Sequence, residues 1–177
     1  MQLYLVRHGE TIENAKGLIQ GWLPGHLNGK GKEQASVLAK KLKKIKFDCI
    51  YTSDLKRSYD TAMIIRKYHP RIKLISSRLL RERNFGIYQG NPKYAIDWKK
   101  IDPKLHDMHI RKGESIDDVE ARAGKFLKFL KGKNYKIVLV VTHGFVEMVL
   151  RSIILNKSLD EILGHELNNG QVENIKL

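Results

Sequence analysis

Hydrophobic residues along this 177-residue chain follow two alternating rhythms. One is the short apolar run: Leu3 to Val6, FDCIYTS around Cys49, IKLISS, and above all YKIVLVVTHG, each bounded by polar or glycine-bearing sequence. The first of these reads as a strand buried on both faces, and the others as its neighbours in one sheet. The second rhythm is the three-and-four spacing of an amphipathic helix. Ala35, Leu38, Ala39 and Leu42 keep it within NGKGKEQASVLAKKLKK, and Val119, Ala123, Phe126, Leu127 and Leu130 keep it within ESIDDVEARAGKFLKFLKG. That second helix opens on Ser115 with Asp118 three residues on, a capping-box variant. DLKRSYDTAMIIRKY predicts a further helix with Asp54 or Ser53 as its N-cap and Pro70 beyond its end, and FVEMVLRSIIL predicts another after the strongest strand. A last short helix and a strand in QVENIKL close the chain. From Arg83 to Gly113 the periodicity stops, with two prolines and scattered aromatics, which predicts a cap or long functional loop. Strands alternating with helices predict an α/β fold: a three-layer α/β/α sandwich with a mostly parallel central sheet, one domain over residues 1–177 carrying a small cap insertion at about 83–113.

Ligands of such sheets bind at the carboxyl ends of the strands, and there the chain concentrates its chemistry. The first strand ends in Arg7-His8-Gly9, the second in Thr52-Ser53-Asp54 with Arg57 one helical turn on, and the strongest in Thr142-His143-Gly144. Taken singly, His8 or His143 reads as a hydrogen-bonded structural histidine and Arg7 as a surface charge. Together they crowd like charges at one sheet edge, an arrangement that costs stability unless an anion fills the gap. Tetrahedral phosphate fits, because guanidinium forks grip its oxygens and helix N-termini after Gly9 or Gly144 can add backbone N–H donors. The chain has no GxxxxGK[ST] loop, no GxSxG elbow and no HExxH helix, so nucleotide-triphosphatase, serine-hydrolase and zinc-protease readings lack their parts. His106 and His109 in HDMH have the spacing of a metal pair, but no third ligand of comparable strength stands near, and no metal site is predicted.

Composition changes this picture in three ways. The net charge of +14 admits either nucleic acid or anionic metabolites as partners, yet the lysines fall largely at helix positions open to solvent and carry no aromatic-and-glycine nucleic-acid signature, so nucleic acid is disfavoured. Cys49 is the one cysteine, which excludes an internal disulfide and reads as a buried, inert thiol. No apolar run reaches the roughly 18 residues of a membrane span and MQLYLVRHGE is not a secretory leader, so a cytoplasmic protein is expected.

LVRHGETIEN, LIQGWLPGHLNGKGKEQA, IYTSDLKRSYDTA, LLRERNFGIYQG, GES and VVTHG resemble, in order and spacing, the motifs of the histidine phosphatase superfamily, in its phosphoglycerate mutase-like branch. The resemblance implies a metal-independent phosphomonoesterase without a cofactor. In it His8 is the nucleophile that becomes a phosphohistidine. Arg7, Asn14, Arg57, His143 and Gly144 belong to the phosphate pocket, with Thr142 and Gly144 positioning His143, itself also a catalytic residue. Glu82 matches the acid that protonates the leaving oxygen, against a plainer reading as a salt bridge to Arg81 or Arg83. Gln20 and Gly21 match a loop near the phosphate. QGW and LRERNFGIYQG look more like the family's phosphatases than its mutases, so hydrolysis of a small phosphorylated metabolite is expected. The alternatives are a 2,3-bisphosphoglycerate-dependent phosphoglycerate mutase and, in another class, a non-catalytic phospho-ligand or nucleic-acid binder. Phe85, Tyr88, Tyr94 and Trp98 are expected to pack the cap, while Lys93, Lys99, Lys100 and Lys104 can receive a second anionic group. His26 departs from the family's acidic loop residue and reads as solvent-exposed; Asn169 matches a C-terminal asparagine of open role. No membrane is implied, and the edge strands admit a homodimer.

Overall fold

The computed structural model of the chain describes residues 1–96 and 111–177. Strands β1 (Gln2–Arg7), β2 (Cys49–Ser53), β3 (Leu74–Ser77), β4 (Ile137–Thr142) and β5 (Val172–Lys176) form one sheet in the order β3-β2-β4-β1-β5. β1 to β4 run parallel, and β5 lies antiparallel to β1 at the edge. Register puts Arg7 beside Thr142 and Thr52 beside Val141, so β1, β4 and β2 end at one level.

The unbroken apolar runs follow from covering both faces. Helices α2 (Gly29–Leu42) and α3 (Lys56–Arg66) pack on Val6, Ile50, Leu139 and Val141, while α4 (Ile116–Lys131) and α5 (Gly144–Leu155) pack on Leu3, Leu5, Val138 and Val140. Successive residues of β4 thus serve opposite cores, and each fully buried aliphatic side chain contributes roughly 1.5 to 3 kcal/mol of transfer free energy. The expected three-layer sandwich is the observed one. Lysines 40, 41, 43, 44, 125, 128 and 131 all face solvent, as the helical spacing required. Cys49 is buried, and among the described residues no helix is long and apolar enough to cross a membrane.

The capping box at Ser115 is present: its Oγ accepts the Asp118 N–H at 3.0 Å and Asp118 Oδ2 accepts the Ser115 N–H at 2.9 Å. Three local expectations differ. Leu55, not Asp54 or Ser53, caps α3, because Asp54 is drawn into a bidentate pair with Arg81 at 2.8 and 2.6 Å, leaving Ser53 Oγ to accept the Leu55 N–H. No helix starts at Gly9; the chain instead makes a one-turn helix α1 (Ile12–Ala15) boxed by Thr11 and Asn14. The last short helix is absent as well. Residues 157–166 form turns in which Leu159 and Ile162 plug the core, between the left-handed Asn156 that ends α5 and Gly164 at φ +83°. Within the stretch from 83, single 3₁₀ turns occupy Gly86–Tyr88 and Lys93–Ala95, and Tyr94 is 88% exposed rather than packed. Trp98, Lys99, Lys100, Lys104, His106 and His109 lie outside the described residues.

Candidate active site

The loop after β1 can turn sharply because nothing protrudes from it. A Cβ on Gly9 would lie 2.3 Å from the Gly31 carbonyl oxygen at the start of α2, and one on Gly31 would strike the backbone of Glu10. The two glycines let backbone meet backbone, and the Gly9 N–H donates to Thr61 Oγ1 at 3.1 Å. This seats His8 over α3.

His8 is 3% exposed, and its Nδ1 lies 2.8 Å from the Gly9 carbonyl. A carbonyl only accepts, so Nδ1 carries the proton and Nε2 keeps its lone pair. Arg57, itself 1% exposed in the first turn of α3, donates from Nε to that Nε2 at 3.2 Å. Its other arms donate to the Gly21 carbonyl at 2.7 Å and the Leu23 carbonyl at 3.2 Å, so the QGW loop sets the guanidinium. Burial pushes the pKa of Arg57 down to about 10, which leaves it cationic at neutral pH. The His143 ring stands edge-on to that of His8, centroids 5.1 Å apart, with both its nitrogens buried and unpartnered. Thr142 behind it anchors β4 by donating from Oγ1 to the Leu80 carbonyl at 2.9 Å. Arg7 donates from Nη1 to the Leu167 carbonyl at 2.7 Å and leaves its buried Nε without a partner. Gly144 is small for a reason: a Cβ there would press on the Arg7 guanidinium, 3.1 Å from Cζ.

These groups face one cavity of about 200 Å³, whose walls include Arg7, His8, Arg57, Gly144, Asn14, Gln20, Gly21 and Glu82. His143 stands behind that lining against His8. Asn14 gives its amide oxygen to Thr11, which leaves its NH₂ as the donor toward the cavity. Gln20 has a buried, unpartnered amide oxygen. Glu82 is fixed through its backbone carbonyl, which accepts from Trp22 Nε1 at 2.6 Å and Arg122 Nη2 at 3.0 Å. Its carboxylate accepts the Arg83 N–H at 2.9 Å and forms no salt bridge with Arg81 or Arg83 among the described residues. Arg81 is committed to Asp54, and Arg83 lies between the Phe85 and Phe145 rings with its Nε on the Glu114 carbonyl.

Like His143, two further sequence candidates lie outside the cavity wall. His26 is exposed and borders a different groove between α2 and α3. Asn169 donates from Nδ2 to the His8 carbonyl at 2.9 Å, so it holds the strand end. Sequence reasoning missed Glu147, a fully buried carboxylate one turn into α5. The available signal was a lone charge inside FVEMVL, where every neighbour is apolar. Among the described residues no group of three or more His, Cys, Asp or Glu is arranged to hold a metal ion.

Burial, reinforced by Arg57, holds His8 and His143 neutral, well below the ordinary histidine range. An unfolded chain takes up protons below about pH 6.5 that the folded chain refuses. The stability tied to these rings is therefore complete above that pH and is lost as pH falls, by at most about 2 kcal/mol per ring down to about pH 5. His143→Gln should flatten this acid limb. Urea unfolding at about pH 7 and about pH 5 should show a smaller loss for the variant than for the wild type; equal losses would mean that His143 is not buried neutral.

Comparison with known proteins follows the same lines. A family model described as the histidine phosphatase superfamily (branch 1) matches residues 3–177. The chain is 36% identical to a metal-independent phosphoserine phosphatase of Arabidopsis thaliana, over 94% of this chain and 73% of the relative. It is 32% identical to a 2,3-bisphosphoglycerate-dependent phosphoglycerate mutase of Bartonella bacilliformis, over 95% and 88%. Among solved structures, a mycobacterial glucosyl-3-phosphoglycerate phosphatase superposes with a TM-score of 0.84 at 27% identity, covering 98% of this chain and 88% of the other.

Proposed function

Because the chain belongs to the histidine phosphatase superfamily, branch 1, we propose that it is a metal-independent phosphomonoesterase acting on a small phosphorylated metabolite through a phosphohistidine on His8. The observation that carries the proposal is the state of His8: a neutral ring, its proton committed to Gly9, presents a lone pair beside two guanidinium groups and in the same cavity as the Glu82 carboxyl. The phosphoryl oxygens take donors from Arg7, Arg57, His143 and Asn14, and Arg57 swings its Nε–H from His8 to the substrate. His8 Nε2 then attacks phosphorus in line as the bond to the ester oxygen breaks, and Glu82 delivers a proton to the departing oxygen. In the second half, Glu82 as carboxylate takes a proton from water, whose oxygen attacks phosphorus and releases His8. Gln20 and Gly21 serve by holding the loop that orients Arg57. The stretch 83–113 acts as a substrate-selecting cap on a single domain, contributing Phe85 and Lys93 to the cavity wall.

Hydrolysis is favoured over transfer by QGW and LRERNFGIYQG, which look more like the family's phosphatases than its mutases. Besides the groups that face the phosphate, the described lining holds Leu18, Ile19, Phe85, Phe145 and Met148, with Lys93 and Glu166. Phosphorylated amino acids head the panel, because a relative's name carries phosphoserine.

The test is phosphate release from a panel of metabolite phosphates under EDTA, run beside an assay for 3- to 2-phosphoglycerate conversion with 2,3-bisphosphoglycerate. Release that survives EDTA and is blocked by vanadate is expected. Isomerisation with little free phosphate would replace the proposal by a mutase. Ligand binding without either reaction would leave a phospho-ligand binding protein.

A further inference from the structure

We propose that Glu147 is a positioning residue of the phosphate pocket: its buried carboxylate fixes the backbone of Leu167, and the Leu167 carbonyl in turn fixes the Arg7 guanidinium beside His8. The inference rests on the reading of Arg7 as a phosphate ligand and adds to it a residue that touches neither phosphate nor substrate.

Glu147 has no solvent exposure, and its helix neighbours Val146, Met148, Val149 and Leu150 belong to the apolar core. A carboxylate in such surroundings is costly unless its oxygens are committed. One of them is: Oε1 accepts the Leu167 N–H at 2.6 Å. The other, Oε2, lies 3.5 Å from Arg151 Nη1, which also donates to the His165 carbonyl at 2.7 Å, while Arg151 Nε is 2.8 Å from Glu173 on β5. Burial pushes the Glu147 carboxyl up to about 7, against the pull of Leu167, Arg151 and Arg7. The fold thus keeps a costly group at a position whose helix neighbours are all apolar, and an apolar side chain there would leave the Leu167 N–H without its acceptor.

What the expense secures is visible one step away. Leu167 is held on both sides, its N–H by Glu147 and its C=O by Arg7 Nη1 at 2.7 Å. The segment that follows clasps the same strand end, for the Gly170 N–H reaches the carbonyls of Arg7 at 3.0 Å and His8 at 3.1 Å, and Asn169 reaches the His8 carbonyl. Residues 165–170 are therefore a strap around Arg7 and His8; α5 grips it through Arg151 at the His165 carbonyl and through Glu147 at Leu167, the residue that holds Arg7. The same helix presents His143 at its N-cap. One rigid element then sets His143 directly and Arg7 through Leu167, which keeps the two phosphate donors in register across β1 and β4.

The experiment measures binding of inorganic phosphate by titration calorimetry to the wild type, Glu147→Leu, Glu147→Gln, Arg7→Ala and the double variant Arg7→Ala/Glu147→Leu. Glu147→Leu should weaken phosphate about tenfold, the scale of one misplaced charge-assisted contact. Glu147→Gln keeps an oxygen that accepts the Leu167 N–H and should recover most of that loss. In the Arg7→Ala background Glu147→Leu should add almost nothing, because the residue acts through Arg7. Should Glu147→Leu fail to fold, Glu147→Asp, which draws the carboxylate back by one methylene, replaces it in the same cycle with the same expectation of non-additivity. Wild-type affinity in Glu147→Leu, or an equal further loss on the Arg7→Ala background, overturns the inference. An Arg7→Ala protein that binds phosphate as tightly as the wild type overturns it together with the phosphate pocket. A wild type that binds phosphate through Arg7 yet hydrolyses no ester fails the phosphatase reading alone.

Discussion

His8→Ala should lose turnover by about 10⁴-fold or more while still binding phosphate, since the variant removes the atom that bonds phosphorus and leaves Arg7, Arg57 and His143 in place. Among the described residues no second nucleophile stands ready to replace it. His143 has unpartnered ring nitrogens, but in the proposed reaction its ring, edge-on to that of His8 with centroids 5.1 Å apart, donates to the phosphoryl oxygens and does not stand in line with the leaving group. Initial rates on p-nitrophenyl phosphate, together with acid quenching to trap an acid-labile phosphoprotein, measure both halves of the claim. The wild type should yield a trapped phosphohistidine and the variant none. A residual rate within tenfold of the wild type would remove His8 from the chemistry.

Glu82→Gln should separate substrates by their leaving groups. An alkoxide is a poor leaving group and needs its proton in the transition state, so alkyl phosphates should slow by about 10² to 10⁴-fold, the usual contribution of a positioned acid. p-Nitrophenolate departs without that help. The first step on p-nitrophenyl phosphate should stay within about tenfold, while attack of water on the phosphoenzyme loses its base. Stopped-flow traces should therefore show a burst of about one equivalent of p-nitrophenolate and then a slow steady state, with no burst from an alkyl ester. Equal losses on both substrates without a burst would take the acid and base roles away from Glu82. The amide in the variant can still accept the Arg83 N–H that the carboxylate accepts at 2.9 Å, so the backbone around it has no reason to shift.

What was legible in the sequence divides by the range of the interaction. Periodicity placed the strands and the helices α2 to α5, because burial on two faces or one writes itself into consecutive residues. The joint appearance of Arg7-His8, Arg57 and His143 at strand ends was legible too, since a parallel sheet delivers those ends to one edge. Where tertiary partners compete with local ones, the reading failed. Asp54 has the chemistry of an N-cap and spends it on Arg81, twenty-seven residues away. SLDEILGHE has apolar residues at helical spacing, yet Leu159 and Ile162 reach the core from a turn, and Gly164 breaks the segment. Glu147 was passed over in the sequence, and only the fold reveals that its partner is a backbone N–H twenty residues on. His8 stands between these cases: its identity was in the motif, but its tautomer needed the position of the Gly9 carbonyl.

The strap at 165–170 closes on β1 at a sequence separation of 160 between Arg7 and Leu167. β1 and β4 pair across nearly as long a span, and once they have paired the strap closes only the short loop that follows α5. The hydrophobic layers can therefore condense while Arg7 still lacks its anchor, and docking of the C-terminal segment completes the pocket. Linkage runs both ways from there: an anion gripped by Arg7 favours the docked strap, and whatever tightens the strap raises the grip on the anion. On the proposed function, the phosphoryl oxyanion is in this sense also the last piece of its own binding site.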